Sequence, residues 1–484
     1  MKIPLISHLL ALTKKRIVGR FDAAQTTSEN AAHWSMATGW SADVEANSEV
    51  RRILRNRARY ETANNPWVNG MIVTQAYDVI GTGPRLQMTS EFEEFNSRIE
   101  QDFGMWCREI GLAELLHTAQ MTKCRDGETF MMLSFNPRLR NRVKLDVLLI
   151  EADRVTNLLD GALLDESNID GIQFDAYGNP VWYNVLKHHP GGRFGGLPND
   201  SRTVSAEYII HMFRQDRPGQ HRGVPEITPA LPLFALLRRY TLAMVKKMET
   251  SANISGVIET DNLPEEDNEL QPFKAFPLPR DSFAALPAGY KLQQHTLQNP
   301  TDSQSNFALQ VKTEVARCLS LPKNVALGDS SGYNYSSGRL DYQAYDKFLW
   351  VERMRWERQA LDVIFGHWLR EYVLTMPMQP GRLLQIPKAA DVPHAWYWDG
   401  REHVDPGKEA TAQKQRLENN TTTLAEECAR QGLDWEEVLK QRAKERERMK
   451  ELGLLAAPAP VEQLPPPRSN KDQEDNDDED DSDD

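Results

Sequence analysis

At 484 residues, with 40% hydrophobic and 26% charged side chains, the chain is long enough for about three domains with buried cores, and too apolar for a disordered or fibrous protein. Its formal charge of −13 is uneven: residues 471–484 hold ten acidic side chains against one lysine, a net of −9, so residues 1–470 carry only −4. That balance argues against a protein that grips nucleic acid through a broad basic face, because such grip draws on counterion release at every neutralised phosphate.

In chain order, residues 1–12 form a weak apolar run followed by Lys14, Lys15 and Arg16, without a clear small-residue cleavage site, which reads against secretion. The pattern from Ser48 to Tyr60 predicts a helix capped by Asn47 or Ser48, with Val50, Ile53, Leu54 and Ala58 as its apolar stripe. Arg51, Arg52, Arg55, Arg57 and Arg59 occupy the rest of that helix and read as a solvated or subunit-facing ionic surface, or as a contact for an anion. Asn65-Pro66 restarts a helix that runs to Ile80, and Gly81-Thr82-Gly83-Pro84 stops it. One further helix is expected over residues 91–119. Short β-branched or aromatic strands follow at 128–135, 143–150, 171–175, 181–186 and 207–213, so residues 48–216 read as one α+β domain.

Helix dominates afterwards. The pattern predicts helices over 225–249 and 303–319, separated by a Pro-rich loop-and-strand segment from about 255 to 300. A glycine-serine loop at 328–338 precedes an uninterrupted helical pattern over 341–374, whose apolar side carries Tyr345, Phe348, Leu349, Trp356, Leu361, Ile364, Phe365, Trp368 and Tyr372. Shorter helices are expected over 421–430 and 435–450, the second capped by Asp434. Pro458 to Pro467 reads as a stiff linker to a disordered acidic tail. The longest apolar stretch, around 230–237, contains Pro232 and falls far short of the roughly 20 residues that span a bilayer, so no membrane role is expected.

Motifs for chemistry are sparse. Cys107, Cys124, Cys318 and Cys428 lie far apart, implying neither a disulfide framework nor a cysteine zinc site and fitting a reducing cytoplasm. Neither G-x-x-x-x-G-K-[ST] nor H-E-x-x-H occurs, and His188-His189 or His394, Glu402 and His403 lack a ligand spacing, so no metal or cofactor is expected. Gly328-Asp329-Ser330-Ser331-Gly332 matches G-x-S-x-G, the nucleophile elbow of α/β-hydrolases. In that alternative Ser330 attacks, Asp362 or Asp391 orients the base, and His367, His394 or His403 accepts the proton. An elbow needs a strand immediately before it, and Val325-Ala326-Leu327 is barely one.

Several segments, taken in order, resemble the lambda-type phage portal proteins. They are Phe21-Asp22-Ala23-Ala24-Gln25, the run from Arg55 to Glu61, Asn64-Asn65-Pro66, and Asp78 to Leu86. Arg125-Asp126-Gly127-Glu128, Glu151-Ala152-Asp153-Arg154-Val155, His211 to Arg214, Arg217-Pro218-Gly219-Gln220 and Arg222-Gly223-Val224-Pro225 follow the same pattern, as do Asn334-Tyr335-Ser336-Ser337, Val404-Asp405-Pro406 and Lys408-Glu409-Ala410. The likeness covers about residues 20–455.

The resemblance implies a mainly helical α+β portal-type fold, assembled as a ring, usually of twelve copies, at one capsid vertex. Double-stranded DNA passes non-specifically through it during packaging and ejection. Implied partners are the terminase large subunit, the major capsid and scaffold proteins and a head-tail connector protein; no catalytic residue or cofactor is implied. Laid on the chain by position, the parts are an N-terminal arm (1–47), a wing (48–216), a first stem helix (217–254), a clip (255–302), a second stem helix (303–322), a tunnel loop (323–340), a long helix (341–375), a wing return with a helical crown (376–455) and the tail (456–484). Ser330, Tyr333, Asn334, Tyr335, Ser336 and Ser337 are the tunnel-loop residues on this placement. The ring implies a virion location, with the host cytoplasm as the site of assembly; a non-ring minor virion or scaffold protein is the other alternative.

Overall fold

The computed structural model describes residues 27–91, 93–157, 167–193, 201–253, 257–260, 290–293, 302–375, 392–400 and 406–454. The acidic tail, the first 26 residues, Asp391, Glu402 and His403 lie outside the described residues. The chain divides into two compact units between Trp396 and Tyr397.

The first unit opens with a one-turn helix, Ala42–Glu45, followed by the arginine-rich helix Ser48–Asn64. Asn47 caps the latter by accepting the Val50 N–H, one of the two caps the sequence offered. Asn65 then caps Pro66–Ile80 by accepting from Trp67 N, Pro66 occupies the first turn where its missing N–H costs nothing, and Gly81 ends the helix at φ 59°. Strand β1 is Arg85–Met88.

The single helix expected over 91–119 is two, Glu93–Ile110 and Leu112–Asp126. Gly111, at φ 66°, turns the chain between them.

Two antiparallel sheets follow. In the first, β2 (Glu128–Phe135) is central, flanked by β3 (Leu145–Ile150) and β8 (Ile209–Phe213). Its register pairs Phe130 with Ile150 on one side and with His211 on the other. The second sheet orders β4 (Asn168–Ile169), β5 (Ile172–Phe174), β6 (Pro180–Leu186) and β7 (Ser201–Ser205). Strand β7 was not expected: Ser201-Arg202-Thr203-Val204-Ser205 has one apolar residue and only an edge position to fill. Phe130, Ile150, Val155, Ile172, Tyr183, Val185 and Ile209 form one buried cluster spanning both sheets.

The helix expected over 225–249 begins later and runs further, Leu231–Asn253, after a 3₁₀ turn at Thr228–Ala230. Strands β9 (Val257–Thr260) and β10 (Tyr290–Gln293) pair antiparallel within the Pro-rich segment, whose remaining residues lie outside the description. Asp302–Ala316 is the next helix, finished by a 3₁₀ turn at Arg317–Leu319.

The long helix starts earlier than expected, at Tyr335, and is interrupted by a π turn: Tyr335–Trp356, Glu357–Leu361, Asp362–Thr375. Trp356, Ala360, Ile364, Trp368 and Tyr372 are all buried and step by four residues. At 3.6 residues per turn such a row would drift around the helix, and the wider π turn brings it back onto one face. The aromatic side named from the sequence is this buried row, with Phe103 of helix Glu93–Ile110 set edge-on to Phe365 and Trp368 at 5.6 and 5.1 Å. A last short strand, β11, is His394–Tyr397.

In the second unit, Pro406–Glu418 is a helix the sequence reading did not place. Thr423 caps Leu424–Arg430 through a capping box with Glu426, and Asp434 caps Trp435–Glu451 as expected. Gly432, at φ 72°, separates these last two helices and lies against the backbone of Trp398 and Gly400, so a Cβ there would meet Trp398 O at 2.8 Å.

Candidate functional site: an exposed polar loop and a buried charge cluster

The glycine-serine segment is shorter as a loop than the sequence suggested. Helix Lys323–Leu327 leads into it and Gly328 caps that helix at φ 61°. The loop closes at Asn334, whose side chain accepts the Ser337 N–H at 2.8 Å while the Ser337 hydroxyl accepts the Asn334 N–H at 3.1 Å. This capping box folds Tyr335, Ser336 and Ser337 into the first turn of the long helix and leaves residues 328–334 as the free-standing part.

Ser330 is exposed there. Asp329 accepts from Ser331 N at 2.8 Å, and the hydrogen bonds from Ser331 hold its carboxyl below the usual aspartate range. Tyr333 donates to Asp341 Oδ2 at 3.1 Å. Asp329 is the sole charged residue between Gly328 and Gly338, so the loop offers phosphates no cation. The hydrolase reading lacks its elbow, because helix Lys323–Leu327 stands where a strand is needed; Asp362 and His394, two of the residues that reading named as acid and base, do pair at 3.3 Å, with Trp396 Nε1 also donating to Asp362 at 2.8 Å.

The arginine helix is turned partway from the expected stripe, of which Ala58 is fully buried and Leu54 half-buried. Arg51 is 2% exposed and Arg55 4%, whereas Val50 and Ile53, assigned to the apolar face, are 36% and 37% exposed. Arg51 pairs with Asp170, Arg55 with Asp153 at 3.1 Å, and Arg59 with Asp126 and Asp153 at 2.6 and 2.8 Å.

The choice of face follows from magnitudes. Burying a Val or Ile side chain gains roughly 1.5–3 kcal/mol, while stranding a buried charge without its partner costs about 3–5 kcal/mol. Four buried or nearly buried carboxylates, Asp126, Glu128, Asp153 and Asp170, therefore decide which stripe faces inward. Arg52 and Arg57 stay exposed.

At the centre stands Glu128, fully buried at the start of β2. Arg222 reaches it at 2.7 Å, His211 at 3.0 Å, and the Gly223 N–H donates to it at 3.0 Å. Burial opposes ionisation of Glu128, but the Arg222 guanidinium and the hydrogen bonds from His211 and Arg222 outweigh it and hold the carboxyl well below the usual range. Burial pushes the His211 imidazole down, so it stays neutral and donates from Nε2, stacked on Phe130 at 4.2 Å and Phe213 at 4.7 Å.

Directly beside this cluster in sequence lies a second one. Lys123, also buried, bridges Glu226 and Glu352 at 2.8 Å each and so ties helix Leu112–Asp126, the turn after Arg222, and the long helix together. Trp356 Nε1 donates to Gln120 Oε1 at 2.9 Å, and Gln75 Nε2 to the Leu319 carbonyl at 3.0 Å.

Gly127 and Gly223 explain how the two motifs come so close. Gly127 sits at φ 92°, and a Cβ there would fall 2.5 Å from Pro225 N; one on Gly223 would fall 2.6 Å from Gly127 C. Arg125-Asp126-Gly127-Glu128 and Arg222-Gly223-Val224-Pro225 thus pack backbone against backbone, with Arg222 and Glu128 sealing the contact. Other segments that carried the resemblance also hold the fold: Asp78 accepts from Tyr345 at 2.9 Å, and Arg353 donates to the Val79 carbonyl at 2.9 Å. Sequence reasoning missed Glu128, His211, Arg222 and Lys123 as a constellation; the signal was a charged residue at the head of an otherwise apolar strand, Glu128 before Thr129-Phe130-Met131-Met132-Leu133.

No described group of three His, Cys, Asp or Glu side chains is placed to hold a metal ion, and no described helix is long and apolar enough to cross a membrane.

The family model described as "Phage portal protein, lambda family" matches residues 27–350. A protein described as a probable portal protein from Halomonas phage phiHAP-1 is 23% identical over 430 residues, covering 83% of this chain and 81% of its own. Portal protein B of Escherichia phage lambda is 20% identical over 362 residues, covering 68% and 67%. Among solved structures, the neck of a native gene transfer agent particle computed with C12 symmetry aligns at a TM-score of 0.44 and 13% identity, over 84% of this chain and 99% of that one. The matched residues include the Arg222–Glu128 lock and the start of the long helix, from Tyr335 to Trp350, and the chain belongs to the lambda family of phage portal proteins.

Proposed function

We infer that copies of this chain stand side by side in a closed ring at one vertex of a phage head, forming the passage through which double-stranded DNA is packaged and ejected and to which the tail is joined. The observation that carries this reading is the family match across residues 27–350. The charge distribution is what such a passage needs, since a lining rich in lysine and arginine would hold each phosphate by counterion release and slow every step.

Within that reading, residues 328–334 are the tunnel loop, with Ser330, Tyr333 and Asn334 as its exposed or half-exposed members. Tyr335, Ser336 and Ser337, also assigned to the loop from the sequence, are its helical base. Arg52 and Arg57 are left for contact with a neighbouring subunit or an anion. A ring of twelve, assembly in the host cytoplasm, and partners comprising the terminase large subunit, the capsid and scaffold proteins and a connector complete the proposal.

Electron micrographs of the purified chain test it. End-on views should show closed rings around a central hole, and a preparation of lone compact particles would overturn the reading. Ser330→Ala should leave ring formation unchanged; loss of a hydrolytic activity on that substitution would instead favour a serine hydrolase.

A further inference from the structure

A groove of about 850 Å³ opens in the first unit between the two sheets and the long helix. Its apolar wall is made by Phe174, Tyr183, Ile209 and Phe213 on the sheet side and by Val363 and Gly366 on the helix. The π turn places Arg358 and Gln359 at its edge, and His221 stands on its rim. No residue from 27 to 41 lines it.

Those residues carry side chains that such a groove would suit. Trp34, Met36 and Trp40 are 52%, 86% and 58% exposed, in a run of turns without strand or α-helix. Two indoles and a thioether in water within seven residues are costly to leave uncovered, since each tryptophan can bury roughly 150–250 Å². The run is fixed at its far end beside the groove: Arg217 donates to the Trp40 carbonyl at 3.0 Å, and Asp43 accepts from His221 N at 3.0 Å and lies 2.7 Å from its Nδ1.

We propose that the Trp34–Trp40 run of one copy seats in the groove of the next copy around the ring, so that each groove is completed by a neighbouring subunit. This rests on the ring reading above. The lone chain already holds the run at its own rim and yet leaves both the indoles and the groove uncovered, which points to a second copy as the occupant. From the anchor at Trp40, the six residues back to Trp34 span at most roughly 20 Å when fully extended, and that reach requires opening the turn in which Ala37 N–H donates to the Trp34 carbonyl. One run and one groove per copy make a head-to-tail contact, the kind that closes a ring of identical chains.

The test co-produces two differently tagged forms of the full chain, one with Trp34→Cys and one with Val363→Cys, both with Cys107→Ser and Cys318→Ser, and treats the purified particles with a short bismaleimide. Because each form carries one of the two introduced thiols, a band containing both tags reports contact between copies. That band is expected in rings seen by electron microscopy, and to fall at least tenfold when Val363→Cys is replaced by a cysteine on the exposed face at Lys347. Rings without the band overturn the docking while leaving the ring reading intact; lone particles overturn both. Trp34→Ser, at an exposed position that leaves the lone chain's core untouched, should reduce the ring fraction at least tenfold, and an unchanged ring fraction would also overturn the docking.

Discussion

Arg222 and Glu128 face each other at 2.7 Å with both side chains wholly shielded from solvent. Arg222 also donates from Nη1 to the Val155 carbonyl at 3.1 Å, so one guanidinium joins the head of β2 to the turn that leads into the second sheet. Removing one partner leaves the other with a single remaining ion pair, Asp170 at 3.1 Å for Arg222 or Arg55 at 3.6 Å for Glu128, and breaking a buried pair costs about 3–5 kcal/mol. Arg222→Ala and Glu128→Ala should each lower stability by that amount in urea unfolding, whereas Arg52→Ala, at the exposed side of the arginine helix, should change it by less than about 0.5 kcal/mol.

Acid should act on this cluster in two stages. His211 is held neutral by burial, so the unfolded chain binds a proton that the folded chain resists once pH falls below the ordinary histidine value of about 6.5. Glu128, Glu226, Asp153 and Asp170 are all depressed, so the stability they supply is complete above about pH 4.5 and is lost as pH falls below it. Unfolding midpoints measured between pH 8 and 3 should decline gently from about 6.5 and steeply below about 4.5. His211→Gln should flatten the first decline and leave the second in place.

Gly127 and Gly223 should be intolerant of alanine for steric reasons. Gly223→Ala sets a methyl against the Gly127 carbonyl group and the Glu128 Cβ, neither of which can swing aside as the end of a flexible side chain would. Gly328 also has a positive φ but nothing within 4 Å of a Cβ. Soluble yield and melting temperature should therefore collapse for Gly223→Ala, while Gly328→Ala should lose about 1–2 kcal/mol from its left-handed backbone alone.

Asn334→Ala removes the cap that ends the exposed loop. Loss of such a cap costs about 0.5–2 kcal/mol, and here it should appear locally, as faster proteolysis or amide exchange at residues 335–338 with little change in the global melting temperature. Equal protection in wild type and variant would show that the capping box does not set where the loop ends.

Lys123 bridges two carboxylates, so its replacement should be worse than that of either one. Lys123→Met leaves Glu226 and Glu352 buried and facing each other's charge, and should be partly rescued by adding Glu352→Gln. A double-mutant cycle in urea measures this directly: a coupling near zero would mean the bridge contributes nothing beyond packing.

Much of the fold follows from local chemistry that can be read along the chain. The caps at Asn47, Asn65, Thr423 and Asp434 and the strand Glu128–Phe135 stand where side-chain hydrogen bonding and β-branched or aromatic runs put them. So does the aromatic row of the long helix, because a spacing of three and four residues survives any tertiary arrangement that buries it. The break at Gly111 and the π turn at Glu357–Leu361 did not show, since each is a short local change flanked on both sides by helix-forming sequence rich in apolar residues.

What tertiary structure alone decided was which face of the arginine helix turned inward. Locally, Val50, Ile53 and Leu54 outrank any arginine for burial. Only once β2, the turn at 152–154 and the turn at 170 have brought Glu128, Asp153 and Asp170 to one place, beside Asp126 at the end of its helix, does burying Arg51 and Arg55 become the lower-energy choice. Charge pairing across 98 and 119 residues of chain is a property of the assembled fold, whereas the helix itself is a property of the 17 residues that form it.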